Sequence, residues 1–196
     1  EEREMGVCVV DVGGGTTDIA VFDQGSVRQT AVIGLGGQNV TSDIAICLRT
    51  GWPQAELIKC KHGAAREDAV QAEDMLEIAG ISGRAPTTVS RAELAAIIEA
   101  RMEEVFSLVY RELRRTPWSQ SLGAGVVLTG GGCLIEGTVE LIAKTRETIG
   151  VDADLMLDCW MAYDVDYAVR MCEALRPFRM AWMEEMLPYW NYDGYK

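Results

Sequence analysis

Apolar positions in the first part of the chain fall in short β-branched runs rather than at helical spacing. Residues 5–12 form one such run and predict a buried strand. A second strand is predicted over 18–22 and a third over 27–33, with Gly25 marking the turn between them. Together they read as an antiparallel meander whose first turn is Gly13-Gly14-Gly15. The period then changes. Thr41 or Ser42 is placed to cap a helix running through Leu48, and a second short helix is expected from Pro53 to His62. Residues 66–88 are polar and mixed, the texture of a small strand-bearing subdomain that we place over 42–88. Ser90 with Glu93 makes a capping box. Leu94, Ile97, Ile98, Val105, Leu108, Val109 and Leu113 then recur at helical spacing, predicting one long amphipathic helix to about Arg115, ended by Pro117. A strand over 125–128 follows.

Beyond residue 137 the pattern is helix, strand, helix, strand. Helices are expected over 139–149 and 165–175, the second capped by Asp164 and ended by Pro177. Strands are expected over 155–158 and 180–185. Such alternation implies parallel βαβ units. Texture changes here as well. Residues 1–137 hold 18 of the 20 glycines, whereas 138–196 hold six of the nine methionines and five of the six tyrosines. We therefore expect two domains, 1–137 and 138–196, with a junction near Gly137.

Charge narrows the function classes. A net charge of -12 argues against non-specific nucleic-acid binding, which needs a basic surface. That acidic charge fits a soluble cytoplasmic protein, and no apolar run approaches the length of a membrane span, so no membrane-spanning segment is expected. Six cysteines are scattered without a CxxC pair, the usage of reduced core thiols. His62 is the only histidine, which argues against a zinc site. The chain begins Glu1-Glu2-Arg3-Glu4 without Met, which suggests a fragment.

The chemistry concentrates where strands end on glycines. Val9-Val10-Asp11-Val12 runs into Gly13-Gly14-Gly15-Thr16, and Val126-Val127-Leu128-Thr129 runs into Gly130-Gly131-Gly132. Glycines let backbone N–H groups approach a phosphate closely, because no Cβ intervenes. Asp11 is placed to hold Mg²⁺ through water, since hard cations take oxygen ligands. A glycine run is also what a tight hairpin needs, so the run alone leaves both readings open.

These strings, with Gly36-Gly37, Thr41-Ser42-Asp43-Ile44-Ala45 and Ala55-Glu56-Leu57-Ile58-Lys59, resemble the actin/Hsp70/hexokinase ATPase superfamily. Within it, residues 1–137 are similar to the bacterial FtsA family of cell-division proteins. The resemblance implies the second half of an actin-like, ribonuclease-H-like ATPase domain. It implies that Asp11 to Thr16 form the second phosphate loop, and that Gly36 and Gly37 adjoin the nucleotide. Glu56 and Lys59 would approach ribose and base, and Gly130, Gly131 and Gly132 would form the adenosine loop. It implies ATP and Mg²⁺ as cofactors, an FtsZ-type tubulin homologue and further copies of the chain as partners, and a place at the cytoplasmic face of the inner membrane. The family's first phosphate loop, its other large lobe and its membrane-targeting helix are absent from this sequence, so efficient hydrolysis is not expected.

A second resemblance covers 138–196. Leu155-Met156-Leu157-Asp158-Cys159-Trp160 and Trp182-Met183-Glu184-Glu185 resemble the enolase superfamily, in particular acid-sugar dehydratases of the L-rhamnonate type. It implies a βαβ fragment of a (β/α) barrel with Asp158 and Glu184 as two of three metal ligands. From the residues alone, acids at strand ends are equally solvated loop residues. Three readings follow: an FtsA-like nucleotide-binding chain, a Mg²⁺-dependent dehydratase remnant, and a chimera with no ligand. Neither resembled active site is complete, and no catalytic residue is assigned.

Overall fold

The structure is a computed structural model describing residues 2–67, 70–71, 73–80, 85–115, 122–135, 142, 146, 154–159, 161, 163–191 and 193–195. The junction expected near Gly137, Pro117 and most of the helix expected over 139–149 lie outside the described residues.

The β-branched runs form the meander as expected. Val7–Val12 (β1) pairs antiparallel with Thr17–Asp23 (β2), and β2 with Ser26–Ile33 (β3). Gln24 and Gly25 both take positive φ, the hairpin geometry whose twist matches that of the strands. The chain then leaves the sheet through three helices, Gly37–Cys47 (α2), Trp52–His62 (α3) and Arg91–Arg114 (α4), the short Glu2–Met5 being α1. Between α3 and α4, Met75–Ile78 (β4) and Thr87–Ser90 (β5) pair as a separate two-stranded ribbon. Ser90 caps α4 by accepting the Glu93 N–H at 3.1 Å. Leu94, Ile98, Met102, Val105, Val109 and Leu113 form its buried stripe.

The chain returns to the sheet as Gly125–Thr129 (β6), parallel to β1. Leu155–Asp158 (β7) pairs parallel with β6, and Trp182–Glu184 (β8) parallel with β7. Val165–Leu175 (α5) connects them, capped by Asp164, which accepts the Tyr167 N–H at 2.8 Å. The six-stranded order is β3-β2-β1-β6-β7-β8.

Three expectations need correction. Helix α2 starts at Gly37, not at a Thr41 or Ser42 cap, because the Asn39 carboxamide accepts the Gly36 N–H at 2.9 Å and closes the first turn earlier. Thr41 is buried inside the helix, its hydroxyl oxygen 3.0 Å from the Gly37 carbonyl. The described residues show no barrel fragment: β7 and β8 extend the first sheet instead. The strand expected over 180–185 is only three residues long, ended by Glu185 at positive φ.

One hydrophobic cluster runs beneath the sheet. Val10 and Val12 of β1, Ile44 of α2, Ile98 of α4, Leu157 of β7 and Leu175 of α5 all belong to it. Burying each such side chain contributes about 1.5–3 kcal/mol. The apolar stripe of α5 packs on this core, with Ala168, Met171 and Leu175 buried. Among the described residues, the opposite face carries a small cluster of Val7, Ala124 and Met156.

Candidate functional site

The site follows from one register. In the parallel pair β1–β6, Asp11 lies beside Thr129, so the two glycine turns leave adjacent strands at the same sheet edge. They touch there. A Cβ on Gly130 would stand 2.3 Å from Asp11 Oδ1 and 2.6 Å from the Val12 carbonyl, and Gly130 sits at φ +92°. Only glycine supports that conformation and that approach.

A third glycine segment closes on the first turn. The Gly37 N–H donates to the Gly13 carbonyl at 2.9 Å, and the Gln38 N–H to the Gly14 carbonyl at 2.7 Å. A Cβ on Gly36 would lie 2.6 Å from the Gly13 oxygen. The first α2 donors thus hold the loop carbonyls, while Gly13 N–H turns back onto the Thr16 carbonyl at 2.9 Å. Thr16 donates its hydroxyl to Asp18 at 2.8 Å. Gly15 and Thr16 are exposed, as is Gly131, where a Cβ would meet nothing within 4 Å.

Helix α3 supplies a second wall. Lys59 Nζ donates to the Gly37 carbonyl at 3.1 Å, to Thr41 Oγ1 at 2.9 Å and to Glu56 Oε2 at 2.9 Å. All three ammonium protons are therefore used within the protein. Thr41 also donates to Glu56. Burial opposes ionisation of Glu56, but hydrogen bonds from Lys59 and Thr41, with the Lys59 charge, outweigh it and hold the carboxyl below its ordinary value. Cys60 donates its thiol to Glu56 at 3.4 Å, and burial together with that bond pushes its pKa up. The Glu56–Lys59 pair thus ties α3 to the start of α2, beyond the few tenths of a kcal/mol of an exposed helical pair.

These walls enclose a cleft of about 840 Å³. Gly13, Gly14, Gly37, Glu56, Lys59, Gly131 and Gly132 line it, so most of the expected glycines share one cavity with the expected acid and base. Asp11 is exposed at the strand end beside it. Sequence reasoning missed the rest of the lining. Gln38 lies over the first turn, 3.7 Å from a Cβ on Gly14. Tyr163, Tyr167 and Arg170 line the cleft from the start of α5. Their one signal was the i, i+3 spacing of Tyr167 and Arg170 on a helix capped by Asp164, with Tyr163 just before the cap.

Asp158 and Glu184 are brought side by side by the β7–β8 register. Thr129 donates its hydroxyl to Asp158 at 3.3 Å, and Glu184 is exposed. Neither acid is among the residues lining the cleft. Among the described residues, no three His, Cys, Asp or Glu side chains converge to hold a metal ion. Among them, no helix is long and apolar enough to cross a membrane.

Comparison with known proteins agrees with this geometry. A family model described as cell division protein FtsA matches residues 8–176. FtsA of Pseudomonas aeruginosa is 46% identical over 141 residues, covering 72% of this chain and 34% of the relative. FtsA of Escherichia coli K12 is 45% identical over 155 residues, covering 76% and 37%. FtsA of Bacillus subtilis is 41% identical over 141 residues, covering 72% and 32%. The chain spans about a third of the length of these curated relatives. Among solved structures, MreB5 of Spiroplasma citri bound to AMPPNP superposes with a TM-score of 0.61 at 23% identity, covering 78% of this chain and 48% of that one. A PilM–PilN type IV pilus biogenesis complex gives 0.54 at 18% identity, covering 91% and 46%. These likenesses show the actin-like fold. The family match crosses Gly137 and ends beyond α5, and nothing in these findings supports the enolase-type resemblance of 138–196.

Proposed function

The chain belongs to the FtsA family of cell-division proteins, and from that premise we propose that its cleft binds a purine nucleoside polyphosphate, ATP first. The observation carrying this reading is the Asp11–Thr129 register, which sets two glycine turns side by side over one cavity. The cradle fits the group. Gly36 and Gly130 are packed where a Cβ would clash, while Gly131 leaves the cleft floor open. The exposed Gly14–Thr16 turn would hold phosphates, with Gly130–Gly132 beneath the nucleoside. Glu56 and Lys59 would act by holding α2 against the loop. Magnesium takes one or two carboxylates plus phosphates and water, so Asp11 alone would serve a cation carried in by the nucleotide. That metal supplies charge neutralisation at the phosphates.

The occupied cleft would bias assembly of copies of the chain and engagement of an FtsZ-type tubulin homologue at the cytoplasmic membrane face, the role that family membership suggests. The test is a thermal shift with millimolar ATP and Mg²⁺, expected to rise with ligand concentration by mass action. Gly131→Ala adds a methyl to the cleft floor without a clash, so it should keep the melting temperature of the free protein and lose the shift. No shift in the wild type, or an undiminished shift in Gly131→Ala, would overturn the reading.

A further inference from the structure

Two walls of the cleft are explained by the glycine turns and the Glu56–Lys59 tie. The third is not. Tyr163 stands just before the Asp164 cap of α5, and Tyr167 and Arg170 lie at i and i+3 on the helix itself. The adjoining stripe, Ala168, Met171 and Leu175, is buried in the core and fixes the helix rotation. Tyr163 is buried, and its ring lies 4.7 Å from that of Tyr167, tilted by 60°. The Arg170 guanidinium sits over the Tyr167 ring, 5.7 Å from its centroid. A planar cation is thus laid on an aromatic ring that is braced from behind, and all three residues line the cleft. Facing them on α3, Lys59 has its three protons committed to Gly37, Thr41 and Glu56, while Lys61 of the same helix also lines the cleft.

We propose that the Arg170–Tyr167 pair is the shelf on which the base of the nucleotide stacks. The guanidinium plane covers the base, Tyr167 holds that plane, and Tyr163 buttresses Tyr167. Guanidinium planes and aromatic rings both stack on nucleobases, a sequence-tolerant contact. The shelf would therefore favour any nucleoside polyphosphate over an inorganic one. This rests on the nucleotide reading above.

The experiment is calorimetric titration of the whole chain with Mg-ATP and, separately, Mg-tripolyphosphate. Wild type should bind ATP more tightly than tripolyphosphate. Arg170→Ala, Arg170→Lys and Tyr167→Ala should each weaken ATP roughly tenfold while leaving tripolyphosphate binding unchanged. Tyr167→Phe, which keeps the ring, should bind ATP like wild type, and melting curves of all four variants exclude unfolding as the cause. If Arg170→Lys restores ATP binding that Arg170→Ala loses, or if Arg170→Ala weakens tripolyphosphate, Arg170 acts as a charge on phosphate and the shelf is wrong. Equal wild-type affinity for the two ligands also rejects the shelf while leaving the phosphate turns standing. Binding of neither ligand rejects the nucleotide reading itself, and the shelf with it.

Discussion

Residues 2–135 and 154–195 share one sheet and one core, yet they are held differently. The first region is locked by backbone against backbone. Gly37 N–H is tied to the Gly13 carbonyl, Gln38 N–H to the Gly14 carbonyl, and Gly130 is wedged against the Val12 backbone. The second region joins through the β6–β7 ladder and through apolar side chains. Among the described residues, three of the five non-glycine residues at positive φ, Met161, Arg179 and Glu185, lie in it. Strain of this kind costs of order 1 kcal/mol per residue. The contrast teaches that the end of the sheet bearing the glycine turns is held rigidly where glycines interlock, while the Tyr163–Arg170 wall rides on a more compliant support.

The largest expected effect falls on the seam between the two regions. A Cβ on Gly125 would stand 1.5 Å from the Asp154 carbonyl, at φ +83°. Gly125→Ala should therefore cost at least about 3 kcal/mol in urea denaturation, since either β7 detaches or β6 shifts. A mild loss would mean that the seam is not seated as described.

Leu157 is 1% exposed in β7 and packs in the cluster that also holds Val10 and Ile98. Leu157→Ala should cost about 2–5 kcal/mol. If the regions form one cooperative unit, calorimetry will show a single transition at lower temperature. A split into two transitions, only one of them moved, would separate the regions.

Lys59→Met removes the three-way tie and should cost about 1–2 kcal/mol at neutral pH. Because the folded Glu56 carboxyl is held below its ordinary 4.5, the stability it confers is present above that value and lost as pH falls through the lowered one. The gap between wild type and variant should therefore close on acidification below about pH 4.5. A gap that persists undiminished would show that Lys59 acts through Gly37, Thr41 and packing rather than through the Glu56 charge.

Arg179 is exposed at φ +51°, after the 3-10 turn Arg176–Phe178. Arg179→Gly relieves strain in the compliant region and should raise stability by up to about 1 kcal/mol. A destabilised variant would remove strain from the comparison.

Much of this was legible in sequence because the signals were local. The β-branched run into Gly13, the capping box at Ser90 and the stripe of α4 each fit within one element. The start of α2 was not, because Thr41 and Ser42 are better caps by residue type than Gly36. What decided it was the Asn39 carboxamide on the Gly36 N–H, joined by non-local hydrogen bonds from Gly37 and Gln38 to the first glycine turn. The third wall was hidden for a related reason. Tyr163, Tyr167 and Arg170 read as ordinary amphipathic spacing until parallel pairing of β7 with β6 carried α5 to the cleft. The shift in composition near Gly137 is real, but the strands on either side of it pair in one sheet.

The central claim is that the turns after β1 and β6 jointly form a nucleotide site. Titration of the ¹⁵N-labelled chain with Mg-ATP addresses it most directly. The account predicts saturable amide shifts concentrated at Gly13–Thr16, Gly36–Gln38 and Gly130–Gly132. Shifts confined to one of these turns, or lying away from all three, would contradict it.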